Sequence, residues 1–280
     1  MDKAAIKQPG DPSPWKLCRV SQVEGAKIML AMIPIFFSTI IMSICLTEFL
    51  NYSINQGITM DTYINTLKVP ATPFLSYLFM VFLVPLYHCV FVPFARKITG
   101  YSTGITHFQR VATGILFSII AMIAGAILEV KRKNVAERRN MVDAIPLIEL
   151  LPISFFWLSF QYFFYAISQV LIFVGLLEFF YSEAPRGLKT SSTCFLWVST
   201  AIGYFMSIVV VNWVNDATKN KTATQGWLVG FNLNRNHLNY FYWMLAVLSF
   251  INLLNFLFWA RWYKYRSHNS KVKVRDEDEV

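Results

Sequence analysis

The chain has 280 residues, is 55% hydrophobic and only 15% charged, and carries 25 Phe and 8 Trp. This balance excludes an ordinary soluble domain and fits a membrane protein. The formal net charge of +9 does not point to nucleic acid, because the basic residues sit between hydrophobic runs and no basic stripe with interleaved aromatics lies in a polar stretch.

Residues 1–24 are polar, hold Pro9, Pro12 and Pro14, and read as a tail with no cleavable signal peptide. Ser21 and Glu24 fit a capping box before the first apolar run. The first span is expected from Gly25 to Leu50, with Pro34 as a tolerated kink, and Asn51 to Val69 as a polar loop. The second span runs from Ala71 to Phe94 and contains Pro73, Pro85 and Pro93. A short basic loop with Arg96 and Lys97 leads to the third span, Phe108 to Glu129. Lys131 to Asp143 reads as a charged loop.

The fourth span, Pro146 to Tyr181, is the longest apolar stretch and exceeds the roughly 20 helical residues a bilayer core needs. It holds two amides, Gln161 and Gln169, about two turns apart and on loosely the same side. A polar group at membrane depth needs a partner in protein or water, so each is a candidate for helix packing or for a solute path. The fifth span, Thr190 to Trp213, carries Ser199, Gly203 and Ser207 at every fourth position, a small-residue stripe suited to close helix packing. The sixth runs from Asn239 to Trp262. Residues 263–280, basic and then acidic, read as a disordered tail.

Six spans put both ends on one side. Of the 25 Lys and Arg, 16 fall on that side and nine on the other, so the positive-inside rule makes both tails cytosolic. The sequons Asn51-Tyr52-Ser53 and Asn220-Lys221-Thr222 fall on the opposite side, where glycosylation occurs.

Catalytic signals are missing from the sequence. It has no glycine-rich phosphate loop, no metal-ligand cluster and no nucleophile–base spacing, so neither an enzyme nor a cofactor or metal site is expected. Cys18, Cys45, Cys89 and Cys194 are scattered, which argues against a disulfide framework or zinc. Of the four histidines only His88 falls inside an expected span. Glu48, Glu129, Glu149 and Glu178 lie close enough to span ends to be solvated. Glu48 is the exception if the first helix continues to Asn55, because it then sits about two turns inside.

Several stretches together carry a family resemblance: PSPWKLCRVSQVE, LVPLYHCVFVPFARKITG, FQRVATGILFSIIAMIAGAILEVKR, GLLEFFYSEAP, NLNRNHLNYFYWMLAVLSF and WYKYRS. They resemble, in order and spacing from Pro12 to Ser267, the carboxy-terminal half of the plant nitrate/peptide transporter family. That family is a branch of the proton-coupled oligopeptide transporters in the major facilitator superfamily, and the details are most similar to the branch that includes hormone importers. The resemblance implies an all-α, multi-pass membrane protein forming one half of a major facilitator fold, in the plasma membrane rather than the vacuolar membrane. It implies proton-coupled movement of nitrate, peptides or plant hormones, with a partner half, a second copy or a full-length relative completing the path. The alternative is a truncated chain that associates with full-length relatives without transporting. Four departures stand out. The first six family spans, with their acidic coupling motif, are absent. The family's usual acid in the fourth span is Gln169 here, and its usual glutamine near the end of the first is Glu48. His88-Cys89 replaces an Asp-Arg pair. Gln169, Glu48 and Gln161 are therefore the substrate-binding or coupling candidates.

Overall fold

The computed structural model describes residues 20–64, 67–68, 73–99, 105–143, 149–184, 189, 192–221, 225–230 and 232–263. Both tails expected at the chain ends lie outside these residues, apart from 20–24 and Tyr263. Helix α1 spans Val20–Ile58, strand β1 Met60–Asp61, and the short antiparallel pair β2 and β3 covers Tyr63–Ile64 and Leu67–Lys68. Helix α2 (Pro73–Leu86) passes through a π-helical turn, Tyr87–Phe91, into α3 (Val92–Thr99). Then come α4 (His107–Arg138), β4 (Leu151–Ser154), α5 (Leu158–Glu183), α6 (Ser192–Thr218) and α7 (Leu238–Trp262). Six helical segments are long and apolar enough to cross a bilayer.

Several boundaries differ from those read in the sequence. Helix α1 does not stop at Leu50 but runs eight residues further, because Ser53 and Gln56 are buried against neighbouring helices and satisfied there. The first sequon is thus helical, with Ser53 fully buried rather than in a surface loop. Ser21 lies inside a helix already under way at Val20, and the side chains of Ser21 and Glu24 lie outside the described residues. Helix α4 continues to Arg138, absorbing most of the expected charged loop. The fourth span is helical only from Phe155. Leu151–Ser154 before it is extended and pairs in parallel with β1, at Met60↔Leu151. Helix α6 runs five residues past Trp213.

Local chemistry explains the helix ends. Thr106 and Gln109 form a capping box at α4, the Thr106 hydroxyl accepting from Gln109 N–H and the Gln109 amide accepting from Thr106 N–H (3.3 and 3.2 Å). Pro93 has no N–H, and its ring would crowd the carbonyl four residues back. The π turn just before it, closed by Val92 N–H on Tyr87 O, adds a residue and relieves that clash.

Helix α4 is central and packs closely on α5. A Cβ on Gly114 would lie 2.6 Å from Ile172 and one on Gly175 2.7 Å from Val111, so two glycines set the approach from both sides. Helix α7 covers the same region through Phe241, Tyr242 and Leu245. Helix α6 leans on α1, where a Cβ on Gly203 would meet Ser43 Cβ at 2.5 Å. Only 6% of the apolar window of the second span is buried, against 50% or more in α1, α4 and the fourth span, so α2 lies at the edge of the bundle.

Candidate functional site

The two amides of α5 have separate surroundings. Gln161 is buried and donates to Ser53 Oγ and Gln56 Oε1, both at 3.2 Å. Gly125 makes room for it, since a Cβ there would meet Phe49 at 3.0 Å and Gln161 Oε1 at 3.1 Å. Gln56 in turn donates to Glu129 (2.9 Å), which Arg132 grips with two bonds of 2.9 and 2.6 Å. Arg132 also donates to Thr59, to Asn234 and to Leu233 O. The carboxyl of Glu129, expected in solvent, is instead fully buried in a bidentate ion pair. This network joins α1, α4, α5 and the segment before α7.

The same end is stitched further by Lys133 on Asn236 O and by Asn232 and Asn234 on the carbonyls of Val142 and Met141. His237 sits beside this seam. Burial, with Lys133 nearby, pushes its imidazole below the ordinary 6.5.

At the other end Glu178 also departs from the expected solvation. It is half-buried and accepts from Arg110 and from His107, the latter at 3.1 Å. Arg110 lies over the Tyr87 ring at 5.5 Å. His107, read as a loop residue, is thus the first residue of α4 and an ion-pair partner. His88 is exposed in the π turn, Glu149 is exposed, and His268 lies outside the described residues.

Gln169 is half-buried and opens onto a cavity of about 220 Å³ between α1, α5 and α6, where it donates to Tyr165 Oη at 2.9 Å. Ser43 and Thr47 of α1 and Thr200 of α6 line the same cavity. Gln161 does not. Glu48, one residue beyond Thr47, is 3% exposed and turns its carboxyl toward Ser207 of α6. Among the described residues it has no basic partner, whereas Glu129 has Arg132, and Glu178 has Arg110 and His107. Ser199, Gly203 and Ser207 are all buried in α6, and Gly203 meets Ser43 of α1. Sequence spacing carried no sign of the Gln56–Glu129–Arg132 network beyond the three-residue step from Glu129 to Arg132, which places the pair on one helix face.

Six membrane-length helices, packed through glycine contacts around a buried ion pair, define an integral multi-pass membrane protein with half of a major facilitator fold. Solved structures agree on the fold. A crystal structure of an auto-inhibited POT family peptide transporter matches with a TM-score of 0.63 at 20% identity, over 87% of this chain and 43% of that one. The POT family transporter PepTSo matches with 0.63 at 17% identity, over 88% and 44%.

The chain belongs to the POT family (PTR2), whose profile matches residues 4–228. It is 42% identical over 256 residues to Protein NRT1/PTR FAMILY 4.6 of Arabidopsis thaliana, covering 91% of this chain and 43% of that protein. It is 43% identical over 258 residues to Protein NRT1/PTR FAMILY 4.5 of the same plant, covering 91% and 45%. The chain therefore spans less than half the length of these curated relatives.

Proposed function

We propose that the chain is the carboxy-terminal half of a proton-coupled secondary transporter of small solutes, with α1, α5 and α6 forming one wall of the solute path. The observation that carries this reading is the cavity at Gln169, where hydrogen-bonding side chains from three helices open into one space at membrane depth. Family membership supports it, and the solute belongs among nitrate, peptides and plant hormones. Glu48 is the proposed proton-exchanging group, because it is the buried acid of this region with no basic partner. An amide such as Gln169 has no proton to exchange near neutral pH. The protein is proposed to lie in the plasma membrane, with both tails on the cytosolic side.

The other reading, a non-transporting chain that associates with relatives, gains little from the stripe on α6. Ser199, Gly203 and Ser207 are already buried, and Gly203 is in contact with Ser43 of α1, so the stripe offers no free packing face. The test is uptake into proteoliposomes. The 280-residue chain alone is expected to move no nitrate, dipeptide or hormone. Co-reconstitution with the amino-terminal half of Protein NRT1/PTR FAMILY 4.6 is expected to produce pH-driven uptake of one of them. Uptake by neither preparation would sink the transporter reading.

A further inference from the structure

We propose that the end of α7 beside the first turns of α1 binds one anionic phospholipid, its headgroup between Lys27 and Arg261 and an acyl chain along the outer face of α7. Of the reading above this uses only the orientation, which assigns the site to the cytosolic leaflet. The first observation is a stripe. Val247, Phe250, Ile251, Leu254, Leu257 and Phe258 recur at three- and four-residue steps, so they share one face of α7. All six are exposed, from 39% at Leu257 to 64% at Phe258. Phe241, Leu245, Asn252 and Phe256, on the inner face, are buried. Helix α7 contributes no residue to the cavity at Gln169, so the stripe is not part of that wall. From Val247 to Phe258 it rises about 16 Å, the depth of one leaflet of a roughly 30 Å hydrocarbon core. The same step leads on from Leu254, Leu257 and Phe258 to Arg261, which ends the apolar stripe with a permanent charge.

The second observation is the cleft that begins where the stripe ends. Arg261 and Trp262 border both the groove along Leu254, Leu257 and Phe258 and a cleft against α1 lined by Lys27, Ile28 and Ala31. Cations from two helices thus face one space at a membrane end, the level at which headgroups lie. Arg261 is exposed and makes no ion pair among the described residues. The cleft has one acid, Glu183, which is buried and accepts from Tyr263 Oη at 3.1 Å. The Tyr263 ring packs on Phe108 and Phe179, so the floor of the cleft is fixed. Trp262 is 62% exposed and supplies the amphipathic ring that settles among headgroups. The third observation lies in the sequence. Lys264, Arg266, Lys271, Lys273 and Arg275 follow α7, and acids begin only at Asp276. A basic run just past a membrane helix attracts anionic headgroups. A zwitterionic headgroup brings the same phosphate with its own cation attached, so it gains less from the pair of basic side chains.

The experiment is native mass spectrometry of the 280-residue chain released from detergent micelles. It is titrated with palmitoyl-oleoyl phosphatidylserine or the matching phosphatidylcholine, and with glycerophosphoserine and inorganic phosphate as competitors. Phosphatidylserine is expected to bind at least about tenfold tighter than phosphatidylcholine. Neither the chainless headgroup nor phosphate is expected to displace it at equal concentration, because neither fills the apolar groove. Arg261→Gln is expected to weaken phosphatidylserine about fivefold and to leave phosphatidylcholine unchanged, which also reports an intact fold. Lys219→Gln, which removes an exposed charge in the turn after α6, is expected to change neither. Equal affinity for the two lipids, displacement by either competitor, or an equal loss in both variants each overturns the proposal. Micelles have no sides and no uptake is measured. A reversed orientation would therefore move the site to the other leaflet, and a failure of transport would leave it standing.

Discussion

Arg132 has no exposed surface, yet it carries a permanent charge and lies two turns from the end of a membrane-length helix. Its cost of burial is offset because the donors of its guanidinium meet Glu129, Thr59, Asn234 and Leu233 O. Breaking one side of such a pair leaves an uncompensated charge. Arg132→Met is expected to destabilise the chain by about 3–5 kcal/mol, read as a loss of thermal stability in detergent micelles. Pairing it with Glu129→Leu should recover much of the loss, because the second substitution removes the orphaned carboxylate. If the double variant is no more stable than the single one, the pair is not the unit that matters. Glu48 is the contrasting acid: it is also buried, at 3% exposed, but its neighbours are Ser207, Cys45 and Tyr52, and among the described residues it has no basic partner. The same residue type thus acts as a fixed strut at one position and as a proposed proton site at the other.

Helix α6 is held on α1 by the absence of a side chain at Gly203. With Ser43 Cβ 2.5 Å from where a Cβ would stand, any larger residue must push the two helices apart. Gly203→Val is expected to cost about 1–3 kcal/mol by overpacking and to widen the neighbouring cavity, which Ser43 and Gln169 share. Ser43→Gly in the Gly203→Ala background should restore part of the lost stability, since it clears the opposing Cβ. Non-additivity in that double-mutant cycle is the measurement, and strict additivity would mean that the contact is not tight. Helix α2 is placed differently. It is barely buried, with Phe74, Tyr77, Val81 and Phe82 all more than half exposed. The π turn that follows begins at Tyr87, whose ring lies against Arg110. The charged cluster of Arg110, His107 and Glu178 therefore links α4 to α5 directly and to the π turn after α2 through one aromatic ring.

The bundle as assembled separates two ends and a side. One end is stitched by the Arg132 network and the parallel β1–β4 pair, the other by the Arg110–Glu178 cluster, and the cavity opens between α1, α5 and α6. If the acid of this half has moved from α5 to α1, coupling should follow Glu48. In a full-length protein made by joining a relative's amino-terminal half, Glu48→Gln is expected to flatten the pH dependence of uptake. Adding Gln169→Glu is expected to restore it. An unchanged pH profile in Glu48→Gln would assign coupling to the other half. Cysteine-accessibility labelling should find both ends of the chain on the cytosolic side, and a carboxy terminus reached only from outside would reverse the orientation.

Hydrophobic length is a local property, so the six spans, their order and the family are legible in the amino-acid sequence alone. A run of apolar residues long enough for a bilayer has few other stable fates in water. The small-residue step of α6 and the three-residue step from Glu129 to Arg132 are equally readable, since helical periodicity alone puts such residues on one face. The reach of α1 to Ile58 and of α4 to Arg138 is not. Their last turns are rich in polar residues, and what keeps them helical is burial against partners more than 70 positions away, such as Gln56 on Glu129 and Arg132 on Asn234. Gln161 and Gln169 look alike in the chain, yet one closes a network and the other opens onto a cavity. The cost of an unpaired amide depends on which neighbours surround it, and those neighbours are set by how α5 is rotated against α1, α4 and α6.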